Sequence, residues 1–426
     1  MTFHECLDYL YQRLPMYQRV GKIAFKPNLN NTISLLEELG NPHEKFKSIH
    51  IAGTNGKGTS AHSIASILQE NGYKVGLYTS PHLKSFTERI KINGTEIDEN
   101  WIVPFVEKIR TKIELISPSF FEVTVAMAYE YFSVNKIDIA VVETGLGGRL
   151  DSTNVLMPEV GLITNIGLDH TDILGATLDK IAFEKAGIMK TKRTYIIGSY
   201  QADVAHVFEE HALTVGADLI QLRDEYQISQ NLNGCFNIFK SDQIWLSDIA
   251  FDIKADYFLK NIPGILAVIE QLNSKGWRIE QHSIESGLSN VVRNTHLKGR
   301  FQRLASHPLI IADVSHNKPG ILELLKQVSL LDYERLHIIY GCVVDKNVTE
   351  ILELLPQNAT YYFTQSQGAR SLNITLLEQM AINFSFNFKS FQNVNQALES
   401  AKSHASANDL ILVTGSTFII AEIDEL

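Results

Sequence analysis

The sequence predicts two α/β domains: a doubly wound sheet with a small antiparallel patch, then a second, Rossmann-like α/β domain. Three observations carry this. Short β-branched runs alternate with helical patterns, and they do so twice along the chain. At 426 residues the chain is too long for one ordinary core. A glycine-rich turn stands between the first apolar run and the helix that follows it.

In order, KSIHIAG, YKVGLYT, IDIAVVET and EVGLITNI are short apolar runs closed by Gly, Asn or Thr, which fits buried strands of a parallel sheet. Helical patterns cover 58–70, 100–115, 121–135 and 177–189. Residues 220–256 change character, with short alternating segments and turn residues, and read as a small antiparallel patch. Helical segments follow at 257–274 and near 281–289. A second alternation begins after Arg300, with PLIIADV, ERLHIIYG, ATYYFTQ and DLILVTGS as its strands. The segment around 290–300 is the expected hinge, and the domains are drawn as 1–295 and 296–426.

Composition narrows the function. The apolar fraction of 45% and charged fraction of 20% are those of a soluble globular protein. A net charge of −10 argues against a nucleic-acid or anionic-membrane surface. The three cysteines (Cys6, Cys235, Cys342) have no metal-ligand spacing and read as thiols in a reducing compartment. The first residues lack the uninterrupted apolar stretch of a signal peptide, and no run is long enough for a transmembrane helix. A cytoplasmic location is expected.

The chemistry concentrates at strand ends. Residues 50–62, HIAGTNGKGTSAH, place Gly53, Asn55, Gly56, Lys57, Gly58 and Thr59 between a strand and a helix. Glycines let backbone N–H groups face phosphate oxygens, the helix N-terminus adds partial positive charge, and a lysine neutralises the outer phosphates. The usual spacing G-x-x-x-x-G-K-[ST] is altered by Gly58, which moves Thr59 one position on. A tight strand-to-helix turn is the bland alternative to a P-loop ATPase site. TSPHL ends the second strand with Ser80, ETGLGGRLDSTN ends the third with Glu143, and NIGLDH follows the fourth with Asp169 and His170. Ser, Glu and His on one sheet edge make a magnesium and phosphate site. Lys185 in FEKAGI reads either as a snorkelling surface lysine or as a buried or modified lysine placed for the site.

Taken together, GTNGKG, SPHL with ERIKING, ETGLGGRLDSTN, NIGLDH, FEKAGI, GRFQ and DVSHN resemble, in that order, folylpolyglutamate synthases of the bacterial type that also act as dihydrofolate synthases. These are Mur-ligase-like ATP-dependent amide ligases. The resemblance is strong over about residues 20–320 and continues by pattern beyond them. It implies that ATP phosphorylates a carboxylate of folate or dihydropteroate, and that the amine of L-glutamate then displaces phosphate. By similarity Gly56, Lys57, Gly58 and Thr59 would hold ATP phosphates, and Ser80, Glu143 and His170 match magnesium ligands. Lys185 matches a lysine that is carbamylated in the family and would help place a second metal ion. Asn261, Arg300 and Asp313 match nucleotide contacts. His316 and Ser416 are candidates for the glutamate side, Phe121 for stacking on the pterin ring, and Asp151 and Ser152 for hydrogen bonds to it. Lys57, Glu143, His170 and Lys185 are the expected catalytic set, in a monomer with a mobile second domain.

Some positions depart from the family pattern. Tyr257 and Phe258 stand where His-Gln is frequent, Lys318 replaces the proline of D-G-A-H-N-P, and Asn30 in FKPNLNN stands where arginine is common. The C-terminal TGSTFIIAE lacks the usual Gly-Glu ending. Competing readings are a cell-wall Mur ligase, against which GKG and SPHL argue, and a P-loop ATPase without ligase activity.

Overall fold

A computed structural model describes residues 1–21, 26–344 and 347–426. Phe25, the first residue of the FKPNLNN stretch, lies outside the described residues. The chain forms two compact units, one of residues 1–252 and 258–297, the other of residues 253–257 and 298–426.

The first unit carries an eight-stranded sheet. Its strands are β1 (Lys47–Ala52), β2 (Val75–Tyr78), β3 (Ile90–Ile92), β4 (Thr95–Glu96), β5 (Ile139–Glu143), β6 (Val160–Ile163), β7 (Thr194–Ile197) and β8 (Asp218–Gln221), in the spatial order β4-β3-β2-β5-β1-β6-β7-β8. The six from β2 to β8 are parallel, and β3 and β4 add an antiparallel edge. Central strands such as β5 are buried throughout, which is why they read as unbroken apolar runs. Both faces are covered. Val142, Tyr78 and Ala140 meet Leu10, Leu35 and Val123 from three helices, and Ile163, Tyr195 and Ile197 meet Ile181 and Phe208. The helices Lys57–Glu70 and Ile262–Ser274 pack against the sheet as well, which makes the layer doubly wound.

The pairing fixes where the site lies. Tyr78 pairs with Val142, Ile51 with Glu143 and Ala52 with Ile163, so the loops after β2, β5, β1 and β6 leave the same edge. Strand β1 is where the winding reverses, the place at which open α/β sheets take ligands.

The antiparallel patch holds three strands, β9 (Tyr226–Gln230), β10 (Phe236–Lys240) and β11 (Gln243–Ile249), ordered β11-β10-β9. It begins later than residue 220, because 218–221 belong to the main sheet as β8. The helical segment expected over 257–274 divides into a 3-10 turn (Asp256–Asn261) and the helix Ile262–Ser274, where Pro263 sits in the first turn. The pattern over 177–189 is helical only over Leu178–Ala186, with Gly187 at its end.

The second unit has strands β12 (Gln302–Ser306), β13 (Leu309–Ala312), β14 (Leu336–Tyr340), β15 (Thr360–Thr364), β16 (Asn387–Phe391) and β17 (Leu410–Thr414), ordered β12-β13-β17-β14-β15-β16. All but β12 are parallel, and β14 and β17 are fully buried. Both α/β expectations hold.

Candidate active site at the carboxyl edge of the first sheet

The turn after β1 is shaped by its neighbours. Gly53 has φ +143°, and a Cβ there would lie 1.9 Å from Thr164 Oγ1. Gly56 has φ +83° as the residue that opens the helix Lys57–Glu70, and a Cβ there would lie 2.2 Å from Asn261 Oδ1. Neither position admits a side chain. Polar groups then pin the loop: Asn165 O accepts from Thr54 N at 2.9 Å, and Asn165 Oδ1 accepts from Asn55 N at 3.1 Å. Asn55 O accepts from Thr164 Oγ1 at 2.6 Å and Asn165 Nδ2 at 2.9 Å. The first bond from helix to turn is Ser60 N to Gly56 O at 2.8 Å, so the N–H groups of Lys57, Gly58 and Thr59 precede it. Lys57 Nζ donates to Thr54 O at 3.2 Å, and Thr59 is buried.

Lys185 is buried, and its Nζ donates to Gly53 O at 2.6 Å. The snorkelling alternative is thereby excluded. Burial, and next the charge of Lys57, push its pKa down to about 7, while Asp169 and Asp151 pull the other way. Near neutral pH a large share of this amine is therefore unprotonated.

Glu143 is the buried last residue of β5, and Ser80 N donates to its Oε2 at 3.2 Å. His170 has φ +49° at the start of the turn Thr171–Leu174. Its Nδ1 lies 3.0 Å from Tyr17 Oη and its Nε2 lies 3.9 Å from Asp169 Oδ1. Among the described residues no three His, Cys, Asp or Glu side chains converge as a metal-holding group. The Ser80, Glu143 and His170 set contains only two of those residue types.

The loop after Glu143 is folded around Asp151. The buried carboxylate accepts from Leu146 N at 2.8 Å, Thr153 N at 3.0 Å and Thr153 Oγ1 at 2.5 Å, and burial raises its pKa. Asp151 thus holds its own turn, with the buried Ser152 beside it. Phe121 lies over Gly145, where a Cβ would come within 2.4 Å of the ring. Asn261 sits against Gly56, joined to the loop by the same close approach.

In the second unit Asp313, His316 and Ser416 are each bonded to nearby residues of their own loops. Asp313 is buried; its Oδ2 accepts from Phe301 N at 2.8 Å and from Tyr257 Oη, and its Oδ1 accepts from Ser315 N at 2.9 Å. Arg300 lies half-buried between Gly299 and Phe301, both in the left-handed region. His316 Nδ1–H donates to Val314 O at 2.9 Å. Ser416 is buried and caps the helix Thr417–Ala421, its Oγ accepting from Ile419 N at 3.2 Å. Lys318 pairs with Glu350 at 2.7 Å on the surface, and the proline it displaces recurs as Pro319 in the same helical first turn. Phe258 is fully buried, packed edge to face on Phe251 at 5.3 Å.

Sequence reasoning missed Thr164, Asn165 and Tyr17. Thr164 precedes NIGLDH and Asn165 opens it, and both were within reach as strand-end polar residues. Tyr17, 153 positions from His170, carried no signal.

The Mur ligase middle domain family matches residues 51–268, and the Mur ligase glutamate ligase domain family matches residues 299–417. A dihydrofolate synthase/folylpolyglutamate synthase of Bacillus subtilis is 31% identical, over 94% of this chain and 95% of its own. The chain belongs to the folylpolyglutamate synthase/dihydrofolate synthase family of Mur ligases. The Escherichia coli relative of the same name is 32% identical, over 88% of this chain and 85% of its own. The solved E. coli FolC in complex with DHPP and ADP superposes with a TM-score of 0.86 at 29% identity, covering 99% of this chain and 96% of that one. A solved bifunctional folylpolyglutamate synthase/dihydrofolate synthase with Mn, AMPPNP and L-glutamate bound has a TM-score of 0.84 at 27% identity, covering 99% of this chain and 97% of that one. Against a Haloferax volcanii relative, a probable bifunctional folylpolyglutamate synthase/dihydropteroate synthase 29% identical over 99% of this chain, the chain spans half the relative's length. Among the described residues no helix is long and apolar enough to cross a membrane.

Proposed function

We propose that the chain is an ATP-dependent carbon–nitrogen ligase that joins L-glutamate to reduced folate and to dihydropteroate through an acyl phosphate. The observation that carries this reading is the packing of one sheet edge. A glycine loop with helix N–H groups, Lys57 and the buried Lys185 lie together, and Glu143 and Ser80 share a hydrogen bond on the same edge. The ADP, AMPPNP, Mn and L-glutamate of the related structures support it.

In this reading residues 1–295 bind ATP and residues 296–426 the glutamate. Asn55, Gly56, Lys57, Gly58 and Thr59 hold the phosphates of ATP, with Asn261, Arg300 and Asp313 as further nucleotide contacts. A hydroxyl, a carboxylate and an imidazole from Ser80, Glu143 and His170 would hold a hard divalent cation, which when bound would supply charge neutralisation for the transferring phosphoryl group. An oxygen of the acceptor carboxylate attacks the γ-phosphorus, the bond to the β–γ bridging oxygen breaks, and ADP leaves. The glutamate amine then attacks the acyl carbon, loses a proton, and the adduct collapses to amide and phosphate. Lys57 and the loop N–H groups bind and orient for the first step.

The unprotonated share of Lys185 is the form that adds to CO2, losing a proton to give a carbamate. That anion would relieve the repulsion from Lys57 and provide for a second magnesium ion. Phe121 is the surface for the pterin ring, and Asp151 with Ser152 shape the turn beneath it. His316 and Ser416 are assigned to the glutamate side. The protein acts on small molecules as a cytoplasmic monomer, with no nucleic-acid partner.

The test is phosphate release from ATP, run separately with dihydropteroate and with tetrahydrofolate, each with and without glutamate. Glutamate-dependent release with both is expected. Release with neither overturns the reading, and release with tetrahydrofolate alone removes the dihydropteroate half.

A further inference from the structure

The residues before the phosphate loop have no part in the reaction described above, yet one of them reaches the site. Tyr17, in the single turn Tyr17–Val20, places its phenol oxygen 3.0 Å from His170 Nδ1. The two rings meet edge to face, with centroids 5.7 Å apart and planes at 69°.

A neutral imidazole carries one proton on two nitrogens, and the partner of one nitrogen decides what the other can do. A histidine that binds a cation through one nitrogen donates the N–H of the other to an acceptor, and that acceptor fixes tautomer and ring orientation. In His170 the phenol lies at Nδ1, while Nε2 is 3.9 Å from Asp169 Oδ1, beyond hydrogen-bond distance. The main chain at His170 is also held, by donation of its N–H to Asp169 Oδ1 at 2.8 Å in a left-handed conformation. Backbone and ring are thus fixed from two different elements of the fold.

We infer that Tyr17 is a positioning residue for the cation site: its phenol oxygen accepts the Nδ1–H of His170 and so presents Nε2 as an electron-pair donor. This rests on the reading of His170 as a metal ligand. It gives the N-terminal segment a part in the chemistry although no atom of Tyr17 need touch the cation or ATP.

The experiment uses the full chain labelled with 15N-histidine, with the His170 signals assigned by their loss in His170→Gln. Without metal, wild-type His170 is expected as the Nδ1–H tautomer, and Tyr17→Phe is expected to move it toward Nε2–H. Tyr17→Phe keeps the ring against the imidazole and removes only the oxygen. Mn2+ affinity, measured by electron paramagnetic resonance with a non-hydrolysable ATP analogue, should fall about 10- to 100-fold in Tyr17→Phe. Tyr17→Leu should match Tyr17→Phe, since the oxygen and not the packing carries the effect. An Nε2–H tautomer in the wild type, or unchanged tautomer and Mn2+ affinity in Tyr17→Phe, overturns the inference. The underlying reading is separated by His170→Ala: unchanged Mn2+ affinity there removes His170 as a ligand, whereas a loss there with none in Tyr17→Phe removes only the part given to Tyr17.

Discussion

In both units loops leave buried parallel strands for helices, and the loop after β1 is built differently from those after β13 and β17. After β1, the turn is built of glycines whose Cβ positions are already occupied by Thr164 and Asn261, and its cations are Lys57 and the buried Lys185. The backbone N–H groups of Lys57, Gly58 and Thr59 precede the first helix-to-turn bond, that of Ser60 N. After β13, the carboxylate of Asp313 gathers N–H groups from Phe301 and Ser315 and the hydroxyl of Tyr257. After β17, Ser416 spends its hydroxyl on a helix cap. The phosphate loop of the first unit is thus shaped by glycines and their neighbours, whereas Asp313 and Ser416 in the second unit, like Asp151 in the first, use their own side chains to hold loops in shape.

That contrast can be broken most sharply at Glu143. Glu143→Gln removes the charge but keeps the shape and the acceptor for Ser80 N, and turnover should fall by about 100- to 1000-fold with an unchanged melting temperature. Near wild-type turnover would remove Glu143 from the cation site.

Lys185 gives the next effect, on stability. The unfolded side chain titrates near the ordinary 10.5 and the folded one near 7. Between these values the unfolded chain binds the extra proton, so stability should rise with pH across the window. The cost of burying the charge is fully present below pH 7 and gone above 10.5. In CO2-free buffer the slope is at most about 1.4 kcal/mol per pH unit, read from urea unfolding, and Lys185→Met should flatten it. A wild-type slope equal to that of Lys185→Met would contradict the buried, depressed lysine.

The smallest effect tests the second unit. Ser416→Ala should cost about 1 kcal/mol of stability for the lost cap. If capping is its whole role, KM for glutamate stays unchanged; a rise in KM beyond the stability change restores Ser416 to the glutamate side.

The sequence was most readable where burial is complete. Strands such as β5 and β17 carry runs of four apolar residues because both faces are covered. Edge strands were missed for the converse reason: β8 is half-exposed and β16 alternates exposed and half-buried residues, so neither has a continuous run. The first helix, Phe3–Arg13, was overlooked although Thr2 and Glu5 form a capping box that the sequence displays. Residues 253–257 join the second unit without any change in composition to announce it. At the site, glycines and strand-end residues were legible because their chemistry is local. Contacts such as Tyr17 to His170 or Lys185 to Gly53 join residues 153 and 132 positions apart, and only the packed sheet and helices bring them together.

The central claim is transfer of the γ-phosphoryl group to a carboxylate of the acceptor. It is tested most directly with dihydropteroate whose carboxylate carries 18O, turned over with ATP and glutamate, and mass analysis of the phosphate released. One 18O per phosphate is predicted, because the attacking carboxylate oxygen leaves with the phosphoryl group. Phosphate free of 18O, formed alongside the amide, would show that ATP was hydrolysed by water and would contradict the acyl phosphate route.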